Sequence, residues 1–221
     1  MWQALTEELA DTNLTIVAVA LESRGVDAAL PYIEAANPTY PCLIDRQHLV
    51  AELFGMVNVP TAVWINEEGR IVRSPEPAGT NDAFRKMDPA TGRLAAEDLQ
   101  VLRGERQRYL DGIRDWARRG SDSPWALDEA VVQNRLARPS EEHEIARAHF
   151  RLGEHLWERG HLDRAQAHFA RAVRLHPESW EYRRQALDLE QQGKSMGQEY
   201  WDAVVALGDR PYYPPIIAPE G

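Results

Sequence analysis

Few side chains in this sequence could make or break bonds, and they are widely spaced. Cys42 is the only thiol, so an internal disulfide is impossible. As a redox group it would be a peroxidatic or resolving cysteine. As a packing group it is a small residue opening the apolar Leu43-Ile44, away from any helix N-terminus that would activate a thiolate. Its surroundings favour packing. Six of the seven histidines lie between His143 and His176, which raises the question of a metal. His143, His149, His155 and His161 recur every six residues. Such a step turns a helix by about 240°, so no two neighbours face one ligand. His161 and His168 share a face but lack a carboxylate or thiol at ligand spacing. The histidines therefore read as solvated helix-surface residues, with no metal and no cofactor implied. The sequence has no Gly-rich phosphate loop, no G-x-S-x-G and no H-E-x-x-H.

The stretch that must position any chemistry is Asn58 to Val72. Val59-Pro60-Thr61 precedes an apolar, β-branched run, Ala62–Ile65, and Asn66-Glu67-Glu68-Gly69 turns the chain into a second strand at Arg70-Ile71-Val72. This predicts a β-hairpin. A proline donates no ladder hydrogen bond, so Pro60 belongs at the first position of its strand and is the natural place for a cis bond. Upstream, apolar residues at 2, 5 and 9 predict a helix over 1–10. The nearly all-apolar Leu14–Leu21 predicts a strand buried on both faces of a parallel sheet. A helix over Val26–Asn37, an extended Tyr40–Asp45 and a helix over Gln47–Phe54 follow.

Composition sets the outer limits. Of 221 residues 43% are hydrophobic, enough for real cores, and 25 basic against 35 acidic residues give a net charge of −10. No basic stripe stands out, which argues against nucleic acid or an anionic membrane as partner. No apolar run approaches the roughly 18–20 residues of a spanning helix. No signal peptide is visible, so the sequence as written reads as cytoplasmic.

The ordered series from the N-terminus to roughly Phe84 resembles the thioredoxin-like superfamily. It is most similar to the redoxin branch of alkyl-hydroperoxide-reductase and TlpA-like proteins, in which a V/I-P-T cis-proline opens the strand beside the redox site. The resemblance implies an α/β domain over 1–92 with thiol-disulfide or peroxide-reducing activity. It implies that the backbone at Val59, Pro60 and Thr61 pairs with an extended substrate, and that Glu22 matches an acidic residue tuning the dithiol in some members. On the residues alone Glu22 is a solvated charge at a strand end. The family's first strand and its C-x-x-C are missing here. In the family that strand lies between those matching Leu14–Leu21 and Ala62–Ile65, and its loss leaves two edges unpaired. Unsatisfied buried groups cost about 1–3 kcal/mol each, comparable in sum with the roughly 5–15 kcal/mol stability of a domain. The expectation is that Met1 is not the natural start, and that activity belongs to a longer form.

After loop signals at Ser74–Asp82 and Asp88–Gly92, the second part, 93–221, reads as all-helical. One apolar stripe runs from Leu99 to Ala117, with Gly120 ending the helix. Ser123 is a candidate cap for a helix over Trp125–Leu136. Over Ala146–Ser179, Leu152-Gly153, Leu156, Gly160, Ala165, Phe169, Ala172 and Pro177 resemble one tetratricopeptide repeat, although Leu156 stands where an aromatic is usual. Gly153 and Ala165 would let two helices approach, Gly160 would turn the corner, and Phe169 with Leu152 would fill the seam. Helices over Trp180–Gln192 and Gln198–Leu207 would flank it. The resemblance implies a partner-binding groove lined by Arg147, Phe150, Glu154 and Trp157. Arg210-Pro-Tyr-Tyr-Pro-Pro reads as an extended cap over the helices or, in the alternative, a proline-rich ligand. Two functions follow: a redoxin fused to a partner-recruiting helical region, or a non-catalytic adaptor that binds proteins through Pro60 and the helical groove.

Overall fold

The computed structural model describes residues 1–88, 90–136 and 139–219. It is a mixed α/β structure dominated by helices. In chain order the elements are α1 (Trp2–Glu8), β1 (Ala18–Leu21), α2 (Val26–Ala36), β2 (Cys42–Asp45), α3 (Leu49–Phe54), β3 (Thr61–Ile65), β4 (Ile71–Pro77), α4 (Ala96–Arg119), α5 (Glu129–Arg135), α6 (Glu141–Glu158), α7 (Leu162–Leu175), α8 (Trp180–Glu190) and α9 (Gln198–Val205). No helix is long and apolar enough to cross a membrane among the described residues.

The strands form two separate pairs. β1 runs parallel to β2, with Ala18 opposite Cys42 and Leu21 opposite Asp45. β3 runs antiparallel to β4, with Thr61 opposite Pro77 and Ile65 opposite Ile71. The predicted strand Leu14–Leu21 is regular only from Ala18, because β2 is too short to partner the earlier residues and, among the described residues, no strand lies on the other edge. For the same reason it is not buried on both faces: β1 is half-buried throughout and Val17 is 52% exposed. β4 runs on to Pro77 where the sequence predicts a loop from Ser74. The register shifts between the Ala62 and Trp64 pairs, so Pro75 falls in a bulge, a position that tolerates a residue with no N–H. The hairpin turn is as expected, with Asn66 N–H donating to the Arg70 carbonyl at 2.9 Å and Gly69 at φ 75°.

Three apolar clusters hold the chain together. The first joins Leu5 and Leu9 of α1, Trp64 of β3, Ala78, and Tyr109, Leu110 and Ile113 of α4, with Leu14, Ile16 and Trp125 packed against it. Trp64 Nε1 donates to the Tyr109 hydroxyl at 2.8 Å inside it. The expected division near residue 92 therefore cuts through a core: the apolar stripe of α4 completes the packing of the first half. Within the Asp88–Gly92 turn Asp88 bridges to Arg93, and Pro89 lies outside the described residues. The second cluster is the α6–α7–α8 core, and the third gathers α8, α9 and Tyr212 with Phe84 and Tyr213. The helix expected from Trp125 begins only at Glu129, because Leu127 N–H is taken by the Val72 carbonyl on the edge of β4 at 3.0 Å.

Candidate functional site

The Val59–Pro60 bond is cis, as the sequence suggests. Around it the backbone is already engaged by the chain itself. Val59 N–H donates to Asn58 Oδ1 at 2.9 Å, and the Val59 carbonyl accepts from the Tyr213 hydroxyl at 2.7 Å. The Pro60 carbonyl accepts from Ala78 N–H at 3.1 Å, and Thr61 Oγ1 donates to the Asn58 carbonyl at 2.6 Å. The tail that brings Tyr213 here is pinned on both flanks. Asp82 accepts the N–H groups of Tyr212 and Tyr213 at 2.8 and 2.7 Å, and Arg73 donates to the Ile217 carbonyl at 2.5 Å. Arg210–Pro215 is thus laid over the helices as a cap. The Val59 N–H and the Val59 and Pro60 carbonyls, expected to face an extended substrate, are thus bonded within the chain.

The two weak catalytic candidates are not assembled with it. Cys42 opens β2, in the other strand pair from Pro60, half-buried with its Sγ 3.7 Å from the Tyr40 carbonyl. Glu22 is clamped by Arg24 at 2.9 Å through both carboxylate oxygens. Burial pushes its pKa up, but the Arg24 hydrogen bonds and charge outweigh this and hold it below the usual carboxylate value. It is an ion-paired anion, not a proton shuttle.

What the fold does assemble is a buried polar junction between the α/β half and the helices. His48 sits just before α3 at φ 54° and is 1% exposed. Its Nε2 lies 3.1 Å from Ser23 Oγ and its Nδ1 2.7 Å from Glu181 Oε1. Ser23 in turn donates to Glu154. Hydroxyl, imidazole and carboxylate in that order have the connectivity of a nucleophile relay. Two observations argue otherwise. The Ser23 hydroxyl is also bonded to Glu154, and His48 is held between Ser23 and Glu181. Burial alone would lower its pKa, but the bond to Glu181 and the charges of Glu181, Glu154 and Asp45 raise it. Glu154 is pushed up to about 7, chiefly by burial and against the pull of Ser23 and His48. Ser23, 3% exposed, has no route to a substrate. The arrangement can hold and share protons across the junction. Sequence reasoning missed it, since His48 and Ser23 stand more than a hundred positions from their carboxylates and no local spacing marks them.

The residues expected to line a partner groove face this chain instead. Phe150 is 0% exposed and stacks on Tyr182 with centroids 4.3 Å apart. Glu154 belongs to the junction, and Trp157 Nε1 donates to the Leu189 carbonyl at 2.9 Å. Arg147, half-exposed, pairs with Glu144 at 2.9 Å. The groove is corrected on this ground: α8, with Ser23 and His48, covers it. The histidines are also rearranged. His149 and His168 meet with Nδ1 atoms 2.8 Å apart, and His143 and His176 stack at 3.8 Å. Burial and the neighbouring His143 push His176 down to about 4. Reading them along one helix missed that each partner of an α6 histidine comes from α7.

Comparison with protein-family models, curated proteins and solved structures returns no significant match.

Proposed function

We propose that the chain is a redoxin-type member of the thioredoxin-like superfamily coupled to a tetratricopeptide-like helical region. Thiol-disulfide or peroxide-reducing activity belongs to a form that also carries a further strand and the C-x-x-C. The observation that carries this reading is the broken sheet. Among the described residues the parallel pair β1–β2 and the antiparallel pair β3–β4 are separate, and β1 and β3 each have no strand neighbour on their outer edge. Leu14 and Ile16, just ahead of β1, pack in one cluster with Ala62 and Trp64 of β3. One strand between the two pairs would join them, with the Val59–Pro60 turn at the head of its neighbour.

A specific observation also favours the non-catalytic part of the second reading, an adaptor whose binding surface would lie elsewhere than the covered groove and the Pro60 turn. Cys42 and the Pro60 turn lie on different strand pairs, and Glu22 is neutralised by Arg24. No dithiol chemistry is available to these residues as they stand. Insulin-reduction and peroxide-consumption assays test both. This chain is expected to give no turnover above background. A version with a β-strand ending in Cys-x-x-Cys fused ahead of Trp2 is expected to gain it. A folded but inactive fusion would favour the adaptor, and turnover by the unextended chain that Cys42→Ser abolishes would overturn both readings.

A further inference from the structure

An antiparallel helical hairpin sets the first turn of one helix beside the last turn of the other. His143 lies in the first turn of α6, and His176 caps the end of α7. Their rings are within 17° of parallel and meet face to face. One turn and a half further along, His149 and His168 meet instead through their Nδ1 atoms. Among the described residues only the first pair has a carboxylate grouped with it. One donor atom from each of His143, His176 and Glu178 falls within 4.8 Å of the others.

The backbone explains why these three converge. Ser140 Oγ accepts from His143 N–H at 3.2 Å and fixes the start of α6. Pro177 keeps the residue before it out of the helix, and His176 sits at φ −134°, ψ 71°. Pro177 and Glu178 are the central residues of a tight turn that starts at His176, and this turn keeps the Glu178 carboxylate close to both imidazoles. Ser179 N–H, donating to the His176 carbonyl at 3.1 Å, closes that turn.

We propose that His143, His176 and Glu178 form a binding site for a divalent cation of the zinc class. Two imidazole nitrogens and one carboxylate oxygen are a donor set that zinc accepts, leaving a fourth position for water. With metal–ligand bonds of about 2.0–2.2 Å, the donors must close to roughly 3.4 Å of one another. Calcium and magnesium are disfavoured, since they require mostly oxygen ligands. The Gly160 turn already joins the hairpin at one end, and a cation here would join the other.

The test is calorimetric titration of the untagged 221-residue chain, stripped with chelator, with zinc chloride alone, repeated with cobalt chloride and read by visible absorption. One zinc per chain and the absorption bands of four-coordinate cobalt are expected. Loss of an outer-shell partner alone costs metal sites about 10–100-fold, so H143A and H176A should each weaken binding at least that much. His176 also packs edge-on against Tyr182, so E178Q, at an exposed position, supplies a variant with no packing to lose. It should weaken zinc binding and reduce the rise in melting temperature that zinc causes. H149A with H168A should leave zinc binding unchanged. Absence of binding, binding that survives H143A and E178Q, or binding lost with the His149–His168 pair would overturn the proposal.

Discussion

Arg73 joins segments of this chain that lie far apart in sequence. It is 0% exposed, as is its partner Glu76, which accepts from Nε and Nη2 at 2.5 and 2.8 Å. Its remaining donors reach the carbonyls of Trp125 and Ile217, and its guanidinium lies 5.1 and 5.2 Å from the ring centroids of Trp64 and Trp125. One side chain thus ties β4 to the α4–α5 loop and to the tail. Breaking a buried pair removes the main partner of the other charge, leaving Glu76 only Arg135 at 3.8 Å, so Arg73→Met should cost about 3 kcal/mol in urea unfolding. Pairing it with Glu76→Leu should recover much of that, because no buried carboxylate is then left bare. A single variant within about 1 kcal/mol of wild type would show that water reaches Glu76. In the sequence Arg73 looks like an ordinary charge after a strand. Its burial is set by Trp125 and Ile217, which chain order keeps far away.

At the scale of elements, the α6–α7 hairpin was legible because its signals are local. Gly160 is at φ 78° and turns the corner, Ala165 and Ala172 are buried, and Pro177 follows the end of α7. A Cβ on Gly153 would sit 2.6 Å from Phe169 Cε1, closer than any side chain tolerates. In an exposed helix Gly→Ala stabilises by about 1 kcal/mol. Here Gly153→Ala should instead destabilise by about 1–3 kcal/mol, read as a lowered urea midpoint, and Phe169→Leu on that background should recover part of it. An unchanged midpoint would mean that the helices can slide apart. One seam residue was misplaced. Leu152 is 43% exposed, and Phe150 and Leu156 fill the seam with Phe169. Leu152 and Phe150 are two positions apart, and the repeat pattern alone does not say which face α8 will cover.

For the whole molecule, the His48 junction couples stability to pH. Glu154 has an ordinary value of 4.5 and a folded value of about 7, so between these the folded chain holds a proton that the unfolded chain releases. Its contribution to stability is therefore full below 4.5 and lost as pH rises to about 7. His48 and Glu181 are both raised as well, His48 by Glu181 overcoming burial and Glu181 by burial itself, so they act with the same sign. The junction therefore favours pH 5.5 over pH 8, opposed by His176, whose depressed value adds stability as pH rises towards 6.5. Glu154→Gln, which keeps an acceptor for Ser23 without the charge, should flatten the junction's part of the pH slope and stabilise the chain by about 1–3 kcal/mol above neutrality. Parallel slopes for the two proteins would remove Glu154 from the account. The same junction docks the helices on the α/β half, assisted by ion pairs Arg46–Glu158 at 3.1 Å and Arg151–Glu52 at 2.6 Å.

By itself the sequence determined the proline-led hairpin, the paired helices around Gly160 and the mix of short strands with long helices. Each is written in spacings of two to four residues or in turn residues whose backbone preferences act locally. Only the tertiary structure decided which polar groups meet. Glu154 and Glu181 stand 131 and 133 positions from Ser23 and His48, and the histidines of α6 find their partners on α7. The tail's return to Val59 is of the same kind. Contacts between distant segments depend on how apolar faces stack, and that is settled by the packing of the whole chain.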